Sequence, residues 1–127
     1  MSRRERAIKP LHLIGPLTEV ERLHAPRALH VRGDLRLFDR GARVSVVGTR
    51  RPTELGRGRA ATLVRELVGA GVVVVSGLAE GIDTVAHRTA IERGGRTIAV
   101  LGTPLDRPYP KSNAGLLETI ARDHLAI

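Results

Sequence analysis

The 127-residue chain has the length of one domain and contains no cysteine, which excludes a disulfide framework and thiol chemistry. No apolar run approaches a membrane span, and the basic opening Met1-Ser-Arg-Arg-Glu-Arg6 runs into Lys9, Pro10, His12 and Pro16 without an apolar core, so a signal peptide is rejected and a soluble cytoplasmic protein is expected. The net charge of +8 is uneven, since 14 of 21 basic but only 6 of 13 acidic residues precede Ala60.

Met1 to Lys9 reads as a flexible basic arm, and residues 10–42 as an N-terminal helix and strand extension. Within it Leu17, Val20, Glu21 and Leu23 suit a short helix, Ala28-Leu-His-Val-Arg-Gly-Asp34 alternates like a strand, and Leu35 to Phe38 suits a second short strand before a turn.

From Arg43 to Ile127 one theme recurs. Arg43-Val-Ser-Val-Val-Gly-Thr-Arg50, Val72-Val-Val-Val-Ser-Gly-Leu-Ala-Glu-Gly-Ile-Asp83 and Thr97-Ile-Ala-Val-Leu-Gly-Thr103 each read as an apolar strand ending in glycine. Four valines in a row suit a strand buried on both faces. Each strand leads into a helical pattern: Leu63, Val64, Leu67 and Val68; then Val85, Ala86, Ala90 and Ile91; then Leu116, Leu117 and Ile120 behind a cap at Ser112 or Asn113. Leu125-Ala-Ile127 reads as the start of a fourth core strand. The predicted fold is a single α/β domain, Rossmann-like and three-layered, with a mostly parallel, doubly wound sheet. Ligands of such sheets bind beyond the carboxyl ends of the strands, so the three glycine loops are expected to meet in one crevice. Glycines there permit close backbone approach, and the helix N-termini favour anions.

Several chemistries are not supported. There is no Gly-Lys-Ser/Thr phosphate loop, and Gly48 is not followed by the second glycine of a dinucleotide fingerprint. His12, His24, His30, His87 and His124 lack metal-ligand spacing, and no cofactor is expected. His87 lies four residues after Asp83 and is expected to face the crevice or to hydrogen-bond Asp83, itself read first as a helix cap. Thr53 reads as a cap or an anion contact, Asn113 as an N-cap, and Tyr109 as a lid or a stacking surface. Arg50, Arg51, Arg57 and Arg59 cluster at the first loop. The preference for Arg over Lys fits a GC-rich coding composition, but the placement of the excess points to a phosphate-rich partner.

These residues resemble the DNA-processing protein A family, also called DprA or Smf. The resemblance rests on Val46-Val-Gly-Thr-Arg50 with Thr53 and Gly56, on Ser76-Gly-Leu-Ala-Glu-Gly-Ile-Asp83 with Ala86-His87, and on Ala99-Val-Leu-Gly102 with Leu105-Asp106, Tyr109-Pro110 and Asn113. It covers Arg43 to Ile127 closely and His30-Val-Arg-Gly-Asp34 more loosely. It implies a Rossmann-like domain that binds single-stranded DNA during natural transformation and recombination, with RecA as a partner and a homodimer as the assembly. By motif, Gly48, Thr49, Arg50 and Thr53 are the first phosphate-contacting loop. Gly77, Gly81, Ile82, Asp83 and His87 are the second, and Gly102, Tyr109, Pro110, Lys111 and Asn113 the third. Glu80 departs from the family, where many members carry a non-acidic residue, and Thr103-Pro104 replaces a more usual glycine-containing step. The family's N-terminal helical and C-terminal winged-helix domains have no counterpart here, and the chain stops before the family's Rossmann domain normally does.

Two alternatives stand beside DNA binding. A nucleotide or nucleotide-derivative sensor would use Glu80 and Asp83 on ribose hydroxyls. An enzyme is not expected: Gly94-Gly-Arg-Thr97 precedes a strand, unlike the Pro-Gly-Gly-x-Gly-Thr loop of the cytokinin-activating phosphoribohydrolases, and no carboxylate pair is tied to a reaction.

Overall fold

Four parallel strands and two antiparallel ones build a single sheet in the computed structural model, which describes residues 4–39 and 41–127. The elements in chain order are β1 (Arg6–Ile8), α1 (Pro10–Ile14), α2 (Glu19–His24), β2 (Leu29–Gly33), a 3-10 helix (Leu35–Asp39), β3 (Arg43–Ser45), α3 (Glu54–Gly69), β4 (Val73–Ser76), α4 (Ile82–Glu92), β5 (Thr97–Ala99), a 3-10 turn (Lys111–Asn113), α5 (Ala114–Asp123) and β6 (Leu125–Ala126). The sheet order is β1-β2-β6-β5-β4-β3.

The parallel strands lie side by side in chain order, so all crossovers step the same way. Right-handed crossovers then put α3, α4 and α5 on one face. The packing agrees. Val74 clusters with Val64, Ala86 and Ala90 of α3 and α4, while Ala99 and Ala126 cluster with Leu116, Leu117 and Ile120 of α5. Ser76 pairs with Ala99 and Ala99 with Ala126, which places all of these strand residues on the same side. The opposite face, with Val73, Ile98 and Leu125, is covered by Leu37 of the 3-10 helix, with Leu35, Phe38, Leu13 and Ile8 packed against it. The third layer therefore comes from the N-terminal segment and not from a reversal of strand order.

Two sequence expectations need correction. The arm through Lys9 is a strand at Arg6–Ile8, paired antiparallel to β2 and anchored by Ile8 against the core, with Arg6 donating to the Gly33 carbonyl at 3.3 Å. Met1 to Arg3 lie outside the described residues. Leu35 to Phe38 is a 3-10 helix, not a strand, because the Asp34 carboxylate accepts from the Arg36 amide at 3.0 Å and the Asp34 carbonyl from the Leu37 amide at 3.1 Å. An acidic side chain that bonds two residues ahead favours a turn over a ladder.

Helix boundaries follow local chemistry. Thr53 caps α3 by accepting from the Gly56 amide at 3.0 Å, and α3 ends before Gly71, whose φ is +76°. Thr18 and Glu21 form a reciprocal capping box at α2, with bonds of 3.2 and 2.7 Å. Among the described residues β3 is the free edge of the parallel half, and it leaves Val47 72 % exposed just beyond its end. No helix of the described residues is long and apolar enough to cross a membrane.

Candidate functional site

The three glycine loops meet at the carboxyl ends of β3, β4 and β5, as parallel-sheet topology requires. They enclose a cleft of ≈ 280 Å³ lined by Arg50 from the first loop, Gly77, Ala79 and Glu80 from the second, and Leu101, Gly102, Thr103, Tyr109 and Pro110 from the third. Of the residues expected at the site, Arg50, Gly77, Gly102, Tyr109 and Pro110 line it. Thr49, Thr53 and Lys111 are exposed on the same loops without lining it.

The remaining expected residues form the frame beneath. A Cβ at Gly48 would come within 2.7 Å of the Ile82 side chain, so glycine is needed for the first loop to lie on α4. Gly81 has φ of +81°, and a Cβ there would meet the Thr49 carbonyl oxygen and lie 2.7 Å from the Arg50 carbonyl carbon. The Ile82 amide donates to the Thr49 carbonyl at 3.1 Å. These contacts clamp the first loop to the start of α4.

The second loop differs from its expected character. The Asp83 carboxylate, 6 % exposed, accepts from the Gly77 amide at 3.1 Å and the Ala79 amide at 3.3 Å. Those N–H groups, which a phosphate would otherwise find open, already hold an internal anion. Asn113 occupies the N-cap position of α5, but its side chain caps nothing there. It donates to the Leu78 carbonyl at 3.0 Å and to the Thr84 hydroxyl at 2.9 Å, while that hydroxyl donates to the Ala79 carbonyl at 2.7 Å. The loops are thus fixed to one another by buried polar bonds. Leu78, fully buried at φ +64°, belongs to this frame, and nothing in its residue type announces a left-handed backbone.

His87 corrects an expectation. It is 0 % exposed, faces neither the crevice nor Asp83 as a hydrogen-bond partner, and bonds Thr97 Oγ1 through Nδ1 at 2.7 Å. The Thr97 hydroxyl donates its one proton to the Val74 carbonyl at 2.9 Å, so Nδ1 carries the ring proton and Nε2 is left without a partner. Burial pushes the imidazole down to about 4, against a smaller opposing pull from Asp83.

Charge distinguishes the rim from the rest of the surface. Arg32 is held by Glu118 through two bonds of 2.8 and 2.9 Å, Arg36 by Asp34 and Arg122 by Asp123. Among the described residues Arg50, Arg51, Arg57, Arg59 and Lys111 are exposed and make no ion pair. The cleft can therefore receive an anion on Arg50, with Glu80 as the opposing charge and Tyr109, 68 % exposed, as an aromatic wall. No group of three or more His, Cys, Asp or Glu that could hold a metal ion occurs among the described residues.

Comparison with known proteins gives a consistent result. Residues 16–127 match the family described as DNA recombination-mediator protein A. The chain is 37 % identical over 102 residues to the DNA processing protein DprA of Bacillus subtilis, covering 80 % of this chain and 34 % of that one. The crystal structure of DNA processing protein A from Streptococcus pneumoniae superposes with a TM-score of 0.83 at 38 % identity, over 97 % of this chain and 43 % of that one. The protein from Helicobacter pylori, known for its single-stranded DNA binding mode, superposes with a TM-score of 0.77 at 30 % identity, over 99 % of this chain and 56 % of that one. The chain thus spans between about a third and a little over half of the length of these relatives.

Proposed function

This chain belongs to the DNA recombination-mediator protein A family, and from that premise we propose that its three-loop cleft binds the phosphate backbone of single-stranded DNA in DNA processing, uptake and recombination. The observation that carries this reading is the unpaired Arg50 guanidinium in a cleft at the carboxyl ends of the parallel strands, flanked by Arg51, Arg57 and Arg59. A planar fork suits phosphate oxygens. Gly77 and Gly102 keep the cleft walls low, and Thr49, Thr53 and Lys111 extend the polar rim along the same loops. Gly48, Gly81, Ile82, Asp83 and Asn113 act by holding these loops in register. The lining offers few polar groups for reading base edges, so binding is sequence-independent and steeply salt-dependent.

Fluorescence anisotropy of a labelled single-stranded oligonucleotide at two salt concentrations tests the reading. Binding that weakens with salt and resists mononucleotides is expected. Absence of binding at low salt would remove the DNA role from this chain.

A second reading, a nucleotide or nucleotide-derivative site, is favoured by one observation: Glu80 lines the same cleft as Arg50, where a carboxylate can accept from ribose hydroxyls. Displacement of the oligonucleotide by a mononucleotide would support it. The family resemblance also brings RecA and a second copy of the chain forward as partners. Sedimentation and a RecA-coupled strand-exchange assay test them, and a monomer inert towards RecA would remove both.

A further inference from the structure

A second and larger cavity adjoins the cleft. It measures ≈ 430 Å³ and lies at the same end of the sheet, where the N-terminal segment meets the carboxyl ends of β5 and β6. Its lining is mostly apolar and includes Pro26, Ala28, Leu29, Leu101, Pro104 and Ile127. Glu5 and His30, paired at 2.8 Å, also line it and are its charged groups.

The two cavities share a wall. Leu101, Gly102 and Thr103 line both. That wall is fixed, because the Val100 amide donates to the Ser76 carbonyl at 2.9 Å and the Leu101 amide to the Ile127 carbonyl at 2.8 Å. At Gly102 it carries no side chain, and a Cβ there would meet nothing within 4 Å. A ligand gripped by Arg50 on one side can therefore pass over Gly102 without obstruction and put an apolar group into the neighbouring cavity.

We propose that this cavity seats a nucleobase of the strand whose phosphate lies on Arg50. The proposal rests on the DNA reading above and adds a base site to its phosphate site. The fit is chemical. A nucleobase is flat, largely apolar on its faces and covalently tied to the phosphate it follows, and the cavity is continuous with the phosphate cleft and large enough for purines and pyrimidines alike. Aliphatic and proline side chains contact base faces without hydrogen-bonding base edges, so occupancy adds affinity and little sequence preference. The cavity also answers the scarcity of aromatic residues, since Tyr109 and Phe38 are the only two and Phe38 lies under the Arg43 guanidinium at 4.0 Å.

The test compares a labelled oligothymidylate with an abasic strand of the same length and charge, on the unaltered chain and on Ala28→Trp, which fills the cavity without touching the cleft lining. On the unaltered chain the abasic strand should bind about tenfold more weakly at an equal salt slope. In Ala28→Trp the preference for the base-bearing strand should fall to within about twofold, with the abasic affinity unchanged. Equal binding of the two strands by the unaltered chain would overturn the base site and leave the phosphate reading intact, whereas no binding of either strand would overturn the phosphate reading itself. A full base preference kept by a folded Ala28→Trp would place the bases elsewhere, against Tyr109. That same result with loss of self-association would assign the cavity to a second copy of the chain. Should Ala28→Trp not fold, the comparison of the two strands on the unaltered chain decides alone.

Discussion

In the first glycine loop the charged side chains face solvent, and in the second the charged side chain at the start of the helix faces the backbone. Arg50 and Arg51 are exposed and unpaired, while Asp83 is buried and accepts from the Gly77 and Ala79 amides. Both loops follow a strand that ends in glycine and precede a helix. A glycine loop before a helix is therefore not by itself an anion site, because the chain can supply its own anion. The binding capacity lies in the loop whose charges have no internal partner, and the other loop holds it in place. Substitutions in the second loop should cost stability, and substitutions in the first should cost binding.

The largest expected effect falls on the frame. His87 is neutral in the folded chain at about 4 and would titrate near 6.5 once unfolded. As pH falls below 6.5 the unfolded state takes up a proton that the folded state refuses, so stability drops until the folded imidazole also protonates near 4. The full loss is about 3 kcal/mol. His124, lowered mainly by burial, acts in the same direction. Chemical denaturation between pH 7 and pH 4 measures the slope, and His87→Gln should flatten it. A slope that survives in His87→Gln would assign it to other groups.

Next in size is Asp83→Ala, which strips two buried amides of their acceptor. Unsatisfied buried donors cost about 1–3 kcal/mol, so a loss near ~2 kcal/mol is expected in denaturant titrations. DNA affinity per folded molecule should change far less. If Asp83→Ala were fully stable yet unable to bind, Asp83 would be a ligand contact and the contrast between the loops would fail.

Arg50→Ala is the converse. An exposed guanidinium without an internal partner contributes little to stability, so the unfolding midpoint should not move. Affinity for single-stranded DNA should fall by about 1 kcal/mol, and the salt slope should flatten by about 0.7, the share of a single neutralised phosphate. An unchanged slope would take Arg50 out of the phosphate site.

How far the sequence foretold this depends on the range of the interactions. The strand–glycine–helix units from Arg43 onward were legible because apolar periodicity and glycine stops are local signals, and the meeting of the three loops followed from parallel topology. The 3-10 helix at Leu35–Asp39 was missed because Leu-Arg-Leu-Phe alternates like a strand, while the deciding bonds come from Asp34 just outside it. The strand at Arg6–Ile8 was missed because its partner β2 lies more than twenty residues away. The same limit applies to side chains. His87 sits four residues from Asp83, yet its partner is Thr97 on β5, and Asn113 looks like a cap but spends its amide on Leu78 and Thr84. Residue type and spacing marked these positions as special, and only the packed structure gave them their partners.

The smallest effect belongs to Glu80, and it sharpens the comparison most. This carboxylate belongs to the second loop but lines the cleft beside Arg50, so it is the one charge there that faces outward. It is exposed, and its cost to an incoming phosphate is an ordinary screened repulsion. Glu80→Gln keeps the shape and removes the charge. It should leave stability untouched and raise single-stranded DNA affinity by about 0.5 kcal/mol, roughly twofold, with the gain shrinking as salt rises. A loss of affinity instead would mean that Glu80 grips the ligand, as a ribose contact does, and mononucleotide binding should then weaken in the same variant. The direction of this one change separates a cleft built for a phosphate backbone from one built for a nucleotide.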